Sequence, residues 1–287
     1  MPALQDLKRQ IKSASDLFKV VRTMKALAAV SIRQYEQAVR ALEGYYETVE
    51  LGLRAVLRQH PMLPSPGRVS ETVVLIFGSD QGMAGRFNEA IIEFAAERLT
   101  EADGQNRFWV AGEKATGGVE DCFGEVAEQF ALPSSAETIA PVIQEVLLRF
   151  EAFRRQKGVC RLLLLHNVPE GGSSYGQRYL QLLPPEERWL KEVSGQSWTG
   201  GQLPLFRTSW EPLFSALIEE YLFVSLFRGF AFSLAAENAA RLAAMQRAEK
   251  NIEELQDDLS SRYHQMRQSI ATEELFDIVS GFEALSK

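Results

Sequence analysis

Apolar side chains recur at steps of three or four along the first sixty residues. They are Leu4, Leu7, Ile11, Ala14, Phe18, Val21, Met24, Ala28, Ile32, Tyr35, Val39, Leu42, Tyr46, Val49, Leu53 and Val56. Fifteen steps cover 52 residues. The mean of about 3.5 is the coiled-coil period, not the 3.6 of a straight helix. No proline falls between Pro2 and Pro61, so the pattern predicts one helix over residues 1–60, roughly 80 Å long at a helical rise. Such a helix cannot bury its seam on a compact core and needs an equally long partner.

The other end of the chain supplies one. After Pro212 there is no proline, and glycine occurs only at Gly229 and Gly281. Leu242, Met245, Ala248, Ile252, Leu255, Leu259, Tyr263, Met266 and Ile270 keep the spacing. Ala271, Leu275, Ile278, Phe282 and Leu285 continue it after a small shift. A second helix over 210–287 follows, longer than globular domains use. The pattern predicts an antiparallel two-helix coiled coil made from the two ends.

The middle, residues 68–192, reads differently. Thr72–Phe77 is a continuous apolar, β-branched run bounded by Gly78, the mark of a buried strand. Asn88–Leu99 has helical spacing with Asn88 as a candidate N-cap. Phe108–Ala111 and Glu125–Phe130 read as short strands, Thr138–Phe153 as a helix, Cys160–Leu165 as a strand and Tyr175–Leu183 as an edge strand. Strands separated by helices predict a small mixed or parallel sheet covered by helices, an α/β domain. Pro61, Pro64, Pro66 and Gly67 end the first helix. Residues 193–209, with Ser194, Gly195, Gly200, Gly201 and Pro204, read as a linker loop.

Charge supports pairing of the ends. Residues 1–59 hold ten Lys/Arg against six Asp/Glu, whereas residues 210–287 hold seven against thirteen. Opposite balances help helices choose partner and orientation, and add little stability. The net charge of −7 and the pI of about 5.3 argue against nucleic acid as a partner. The sequence has no apolar run long enough to span a membrane and no signal-peptide pattern before the first helix. A reducing cytoplasm is therefore the expected compartment, with Cys122 and Cys160 as free thiols.

Catalytic motifs are sparse. His60, His166 and His264 lie far apart without metal-ligand spacing, and there is neither a P-loop nor a nucleophile elbow. Gly78-Ser-Asp-Gln-Gly-Met-Ala-Gly85 follows a buried strand, where α/β sheets bind ligands. Asp80 there is open to two readings: a phosphoryl or metal site, or a cap on backbone amides in a tight structural turn. No second acid, base or lysine at useful spacing supports the first. No metal and no cofactor is expected.

Three ordered stretches carry a resemblance. Lys19-Val-Val-Arg-Thr-Met-Lys-Ala-Leu-Ala-Ala29 is similar to a lysine-rich first helix with Met-Lys and paired alanines. Ser79-Asp-Gln-Gly-Met-Ala-Gly-Arg-Phe-Asn88 is similar to a Ser-Asp-Arg-Gly-Leu-Cys-Gly-x-Phe-Asn turn. The third is Ala236-Glu-Asn-Ala-Ala-Arg-Leu-Ala-Ala-Met245, with Arg267-Gln268, Thr272, Glu274-Leu275, Ile278-Val279, Gly281 and Ala284-Leu285 beyond it. Together they resemble the gamma subunit of F-type ATP synthase across the whole chain. Ser31, Gln81, Ala84, Asn238, Leu242, His264 and Ala271 depart from the family pattern, as in a divergent, bacterial-like branch.

The resemblance implies a central rotor shaft without a catalytic site of its own. It couples ion flow through a membrane c-ring to ATP synthesis or hydrolysis in a hexamer of three α and three β subunits. The epsilon subunit is a further partner, and the place is peripheral, on the cytoplasmic face of the bacterial inner membrane. It also implies that Arg267, Gln268, Thr272 and Glu274 contact the hexamer at the shaft tip, and Met24 and Lys25 at its lower rim. Ser79, Asp80, Gly82, Gly85 and Asn88 form a structural turn in this reading. The alternative is a free-standing coiled-coil adaptor carrying an α/β ligand-binding domain.

Overall fold

A computed structural model describes residues 2–60, 67, 69–99, 105–171, 174–198, 202 and 204–285. Pro61, Pro64, Pro66, Gly200 and Gly201 lie outside them, as do the side chains beyond Val279. The chain forms seven helices and five strands among these residues: α1 Pro2–Ala41, α2 Glu43–Gln59, β1 Glu71–Phe77, α3 Phe87–Arg98, β2 Asn106–Ala111, α4 Glu113–Phe123, β3 Val126–Phe130, α5 Ile139–Lys157, β4 Cys160–Gly171, β5 Ser174–Leu183, α6 Glu187–Gly195 and α7 Trp210–Leu285. It divides into two compact units. One holds residues 1–28 and 242–287, the other residues 29–241.

The larger unit is built on a sheet of order β3-β2-β1-β4-β5. The first four strands are parallel and β5 runs antiparallel on β4. Alternation along β1 divides the core. Val73, Leu75 and Phe77 join Leu53 and Leu57 of α2, Ile139 and Ile143 of α5, and Leu226, Phe230 and Leu234 of α7. Val74 and Ile76 join Ile91 and Ala95 of α3 and Ala115 and Val119 of α4. Every residue of β1 is buried, as a strand covered on both faces requires.

The first helix departs from the expected single rod at Leu42. There Leu42 N–H bonds to Val39 O at 3.1 Å, an i→i+3 closure, and α2 starts one residue later. Gly44, a weak helix former, follows. Residues 29–59 and 210–241, expected in the rods, belong to the sheet unit. The reason lies in α7, where Leu222, Val224, Leu226, Phe230, Ala231, Leu234, Ala235 and Ala236 are all buried. A helix apolar nearly all round needs more than one partner. Phe230 stacks on Phe77 with centroids 3.9 Å apart. Gly229 makes this approach possible, because a Cβ there would lie 2.8 Å from Leu164 Cδ2.

Helices α4 and α6 were not marked by periodicity. The first carries Gly117 and Gly118, and the second is short, so that residues 193–195 of the expected loop are its last turn. The remaining loop is held by α2. Arg58 Nη2 donates to Gln196 O at 2.9 Å, Gln59 Nε2 to Pro204 O at 3.2 Å, and His60 stacks on Trp210 at 5.4 Å.

Candidate functional site

In the smaller unit the two chain ends pair in opposite directions. Asp6, Leu7 and Gln10 of α1 lie beside Arg262, Gln265 and Met266 of α7. Further along α1, Lys25 forms an ion pair with Glu249. From Leu4 to Met24 every seam position of α1 is buried or half-buried, with Ala14 only 3% exposed. Leu17, Val20 and Leu27, one residue off the seam, are exposed. On α7, Met245 and Leu259 are buried, but Leu255 is turned out at 47% exposure and Gln256 takes its place.

The expected continuation of the second seam past Ile270 is not packed. Ala271, Leu275 and Ile278 are exposed, together with Phe276 and Val279. The pairing explains this: with Leu7 beside Met266, α1 reaches Pro2 about five residues later, and α7 runs on without it. Arg267, Gln268, Thr272 and Glu274 are exposed on this last stretch, and Thr272 Oγ1 donates to Gln268 O at 2.8 Å. Met24 is half-buried in the seam. Lys25 is not a free cation on the helix surface, because its ammonium already meets Glu249.

The turn after β1 is organised by Asp80 and Asn88. Asp80 Oδ1 accepts from Glu113 N–H at 2.9 Å, at the start of α4, and Oδ2 accepts from Leu132 N–H at 3.1 Å. Both carboxylate oxygens are thus taken by backbone. Asn88 does not cap its own helix: it lies one residue inside α3, whose N-cap position is Arg86. Instead Asn88 Oδ1 accepts from Ser79 N–H at 3.0 Å and Nδ2 donates to the Ser79 hydroxyl at 3.0 Å. Gly85 holds φ +63, a left-handed conformation suited to glycine. Met83 adopts φ +66 beside it and is exposed, whereas Gly82 has open space about its Cα.

A buried polar group lies on α7. Arg241 pairs with Glu237 and donates from Nη1 to Asn238 Oδ1 at 3.2 Å. All three residues are buried, and Tyr35 of α1 is buried too. Burial pushes the Glu237 carboxyl above its ordinary range, against the pull of Arg241. Burial likewise raises the Tyr35 phenol, with Glu237 and Glu137 adding to it. The signal in the sequence was three polar residues at spacings of one and three inside an alanine-rich, otherwise buried helix.

Among the described residues no group of three His, Cys, Asp or Glu side chains is placed to hold a metal. His166 is buried, Cys160 is buried and Cys122 exposed. No described helix is long and apolar enough to cross a membrane. The described residues give paired terminal helices with exposed apolar side chains near the end of α7, and an α/β unit whose turn after β1 is closed by Asp80 and Asn88.

Proteins of known family are similar to the chain over nearly its whole length. A family model described as ATP synthase matches residues 3–285. The ATP synthase gamma chain of Anaeromyxobacter dehalogenans (strain 2CP-C) is 30% identical over 99% of this chain and 100% of its own length. That of Salinibacter ruber (strain DSM 13855 / M31) is 29% identical over 100% of this chain and 99% of its own. A chain in the cryo-EM structure of Euglena gracilis mitochondrial ATP synthase (OSCP/F1/c-ring, rotational state 3) superposes with a TM-score of 0.68. At 14% identity, over 99% of this chain and 95% of that one, it shares the fold. The protein belongs to the gamma-chain family of ATP synthase.

Proposed function

We propose that this chain is the central rotor shaft of an F-type ATP synthase. The paired ends, within residues 1–28 and 242–287, serve as the shaft, and the sheet unit, residues 29–241, as its α/β foot. Three α and three β subunits surround the shaft, and the epsilon subunit and the c-ring engage the foot. The assembly sits peripherally on the cytoplasmic face of a bacterial inner membrane. The chain carries no catalytic site and no cofactor; it biases sites that others own.

The observation that carries this reading is the end of α7. Leu275, Phe276 and Ile278 are 64%, 67% and 71% exposed on a helix that has outrun its partner. Large apolar side chains left bare at the end of a helix pair mark a surface that another protein covers. In a rotor that surface is the bearing, and the charged side chains beside it are the contacts that differ from one β subunit to the next. A shaft with a different face toward each β subunit has differential contacts with their states, which is what shifts nucleotide affinity.

Arg267 makes no ion pair among the described residues and is free to fork onto a carboxylate of a partner. Arg267→Ala in a reconstituted complex lowers coupled ATP hydrolysis or synthesis. Wild-type turnover and coupling in that variant would remove Arg267 from the contact set.

A further inference from the structure

The repeat of α1 becomes strictly alternating when it is counted through residue 25. Leu4, Leu7, Ile11, Ala14, Phe18, Val21, Lys25 and Ala28 step by three and four without a slip. Lys25 is the one charged side chain among them. Its partner Glu249 lies on α7 next to the seam residue Ala248. The two side chains are 32% and 16% exposed, whereas the pairs Lys19–Asp16 and Arg262–Asp258 in the same unit are more than half exposed at most of their members. This ion pair between the two helices is therefore partly buried, more withdrawn from solvent than the surface pairs of the same unit.

It sits where the two repeats disagree. On α7 the packed positions run Ala248, Ile252, Gln256 and Leu259, with two successive steps of four, and Leu255 is expelled to 47% exposure. Two steps of four change the local winding, because the period there is longer than the heptad of α1. Next to such a slip apolar contacts alone specify the pairing poorly. A charged pair at a seam position specifies it, at a cost in stability.

We infer that Lys25 and Glu249 are positioning residues of the shaft: their ion pair ties α1 to α7 beside the slip and carries twist from one helix to the other. This rests on the rotor-shaft reading for its function and on the helix pair alone for its geometry. Lys25 then acts through Glu249, within the chain, and not on the surrounding hexamer. Removing one partner leaves the other half-buried without its counter-charge, so either single loss is worse than losing both.

The test is a charge cycle in the full chain, alone and assembled with α and β subunits: Lys25→Met, Glu249→Met, both together, and the exchange K25E with E249K. Two quantities are read, hydrogen exchange at the amides of residues 24–28 and 248–252, and torque in a single-molecule rotation assay. Each single substitution is expected to speed exchange roughly tenfold and to lower torque. The double Met variant and the charge exchange are expected to return exchange close to wild type, and the charge exchange to restore torque. A silent Glu249→Met beside an impaired Lys25→Met overturns the inference, since Lys25 then acts on another subunit. A charge exchange as impaired as the singles overturns it as well. Failure of the wild-type chain to assemble would strike the rotor reading instead, and the exchange rates of the chain alone would still decide the pair.

Discussion

Asn88 holds Ser79 from both sides: its Oδ1 accepts from the Ser79 backbone N–H at 3.0 Å and its Nδ2 donates to the Ser79 hydroxyl at 3.0 Å. Ser79 is fully buried, so these are bonds that water cannot replace. Asn88→Ala leaves a buried donor unsatisfied and is expected to cost about 1–3 kcal/mol. Asn88→Asp keeps the acceptor and is expected to cost less. Urea unfolding midpoints measure both, and equal midpoints for Asn88→Ala and wild type would contradict the account.

The Asp80 carboxylate joins the start of α4 to the segment after β3 through Glu113 N–H and Leu132 N–H. Asp80→Ala is expected to lower stability by about 1–2 kcal/mol, the scale of a lost cap with a second amide. Asp80→Asn keeps one good acceptor and loses less. Because both oxygens are engaged, titration of wild type and Asp80→Asn with Mg²⁺ and ATP should show the same absence of binding at this turn. Binding to wild type that Asp80→Asn abolishes would make the turn a ligand site.

His166 supplies a pH dependence. Its ring is buried, and Nδ1 lies 3.0 Å from Asn167 O, so the neutral ring carries its proton on Nδ1 and donates it. Burial lowers its pKa from 6.5 to about 4. The unfolded chain takes up a proton near 6.5 and the folded chain only near 4. Stability from this group is therefore complete above pH 6.5 and falls as the pH drops to about 4, by ~3 kcal/mol at most. His166→Gln removes that slope. Chemical denaturation at pH 7, 6, 5 and 4 checks it, and parallel slopes for the two proteins would contradict it.

At the far end of α7, Leu275→Ser, Phe276→Ser and Ile278→Ser replace side chains that touch solvent in the isolated chain. Thermal stability of the chain alone is expected to stay within about 0.5 kcal/mol of wild type. Affinity for the α and β subunits is expected to fall, most for Phe276, since buried aromatic anchors dominate interfaces. Quantitative assembly assays on the three variants read this. Loss of stability without loss of assembly would mean that these side chains pack within the chain.

Much of this was legible in the chain itself, and the limits have physical causes. The seam of α1 was readable residue by residue because one partner helix buries one narrow stripe. The sheet was readable because Thr72–Phe77 and Cys160–Leu165 are apolar runs too short for helices. What periodicity did not mark was where burial comes from several sides. Residues 222–236 of α7 looked like a rod but pack on the sheet, and Glu113–Phe123 hid behind its glycines. The turn residues were visible as a set, yet Asn88 was expected to cap α3 and serves Ser79 instead, a contact nine residues back. Lys25 fell outside an apolar count by its charge, although its position in the heptad is regular. The Glu237–Arg241 pair needed the structure, since i,i+4 charges usually mark a solvated face.

The central claim is that two ends of one polypeptide wind into a single axle inside a ring of six others. Native mass spectrometry of the complex purified through a tag on this chain tests it most directly. The account predicts one copy of the chain with three α and three β subunits. The chain recovered alone, as its own oligomer, or in equal numbers with one partner would contradict it.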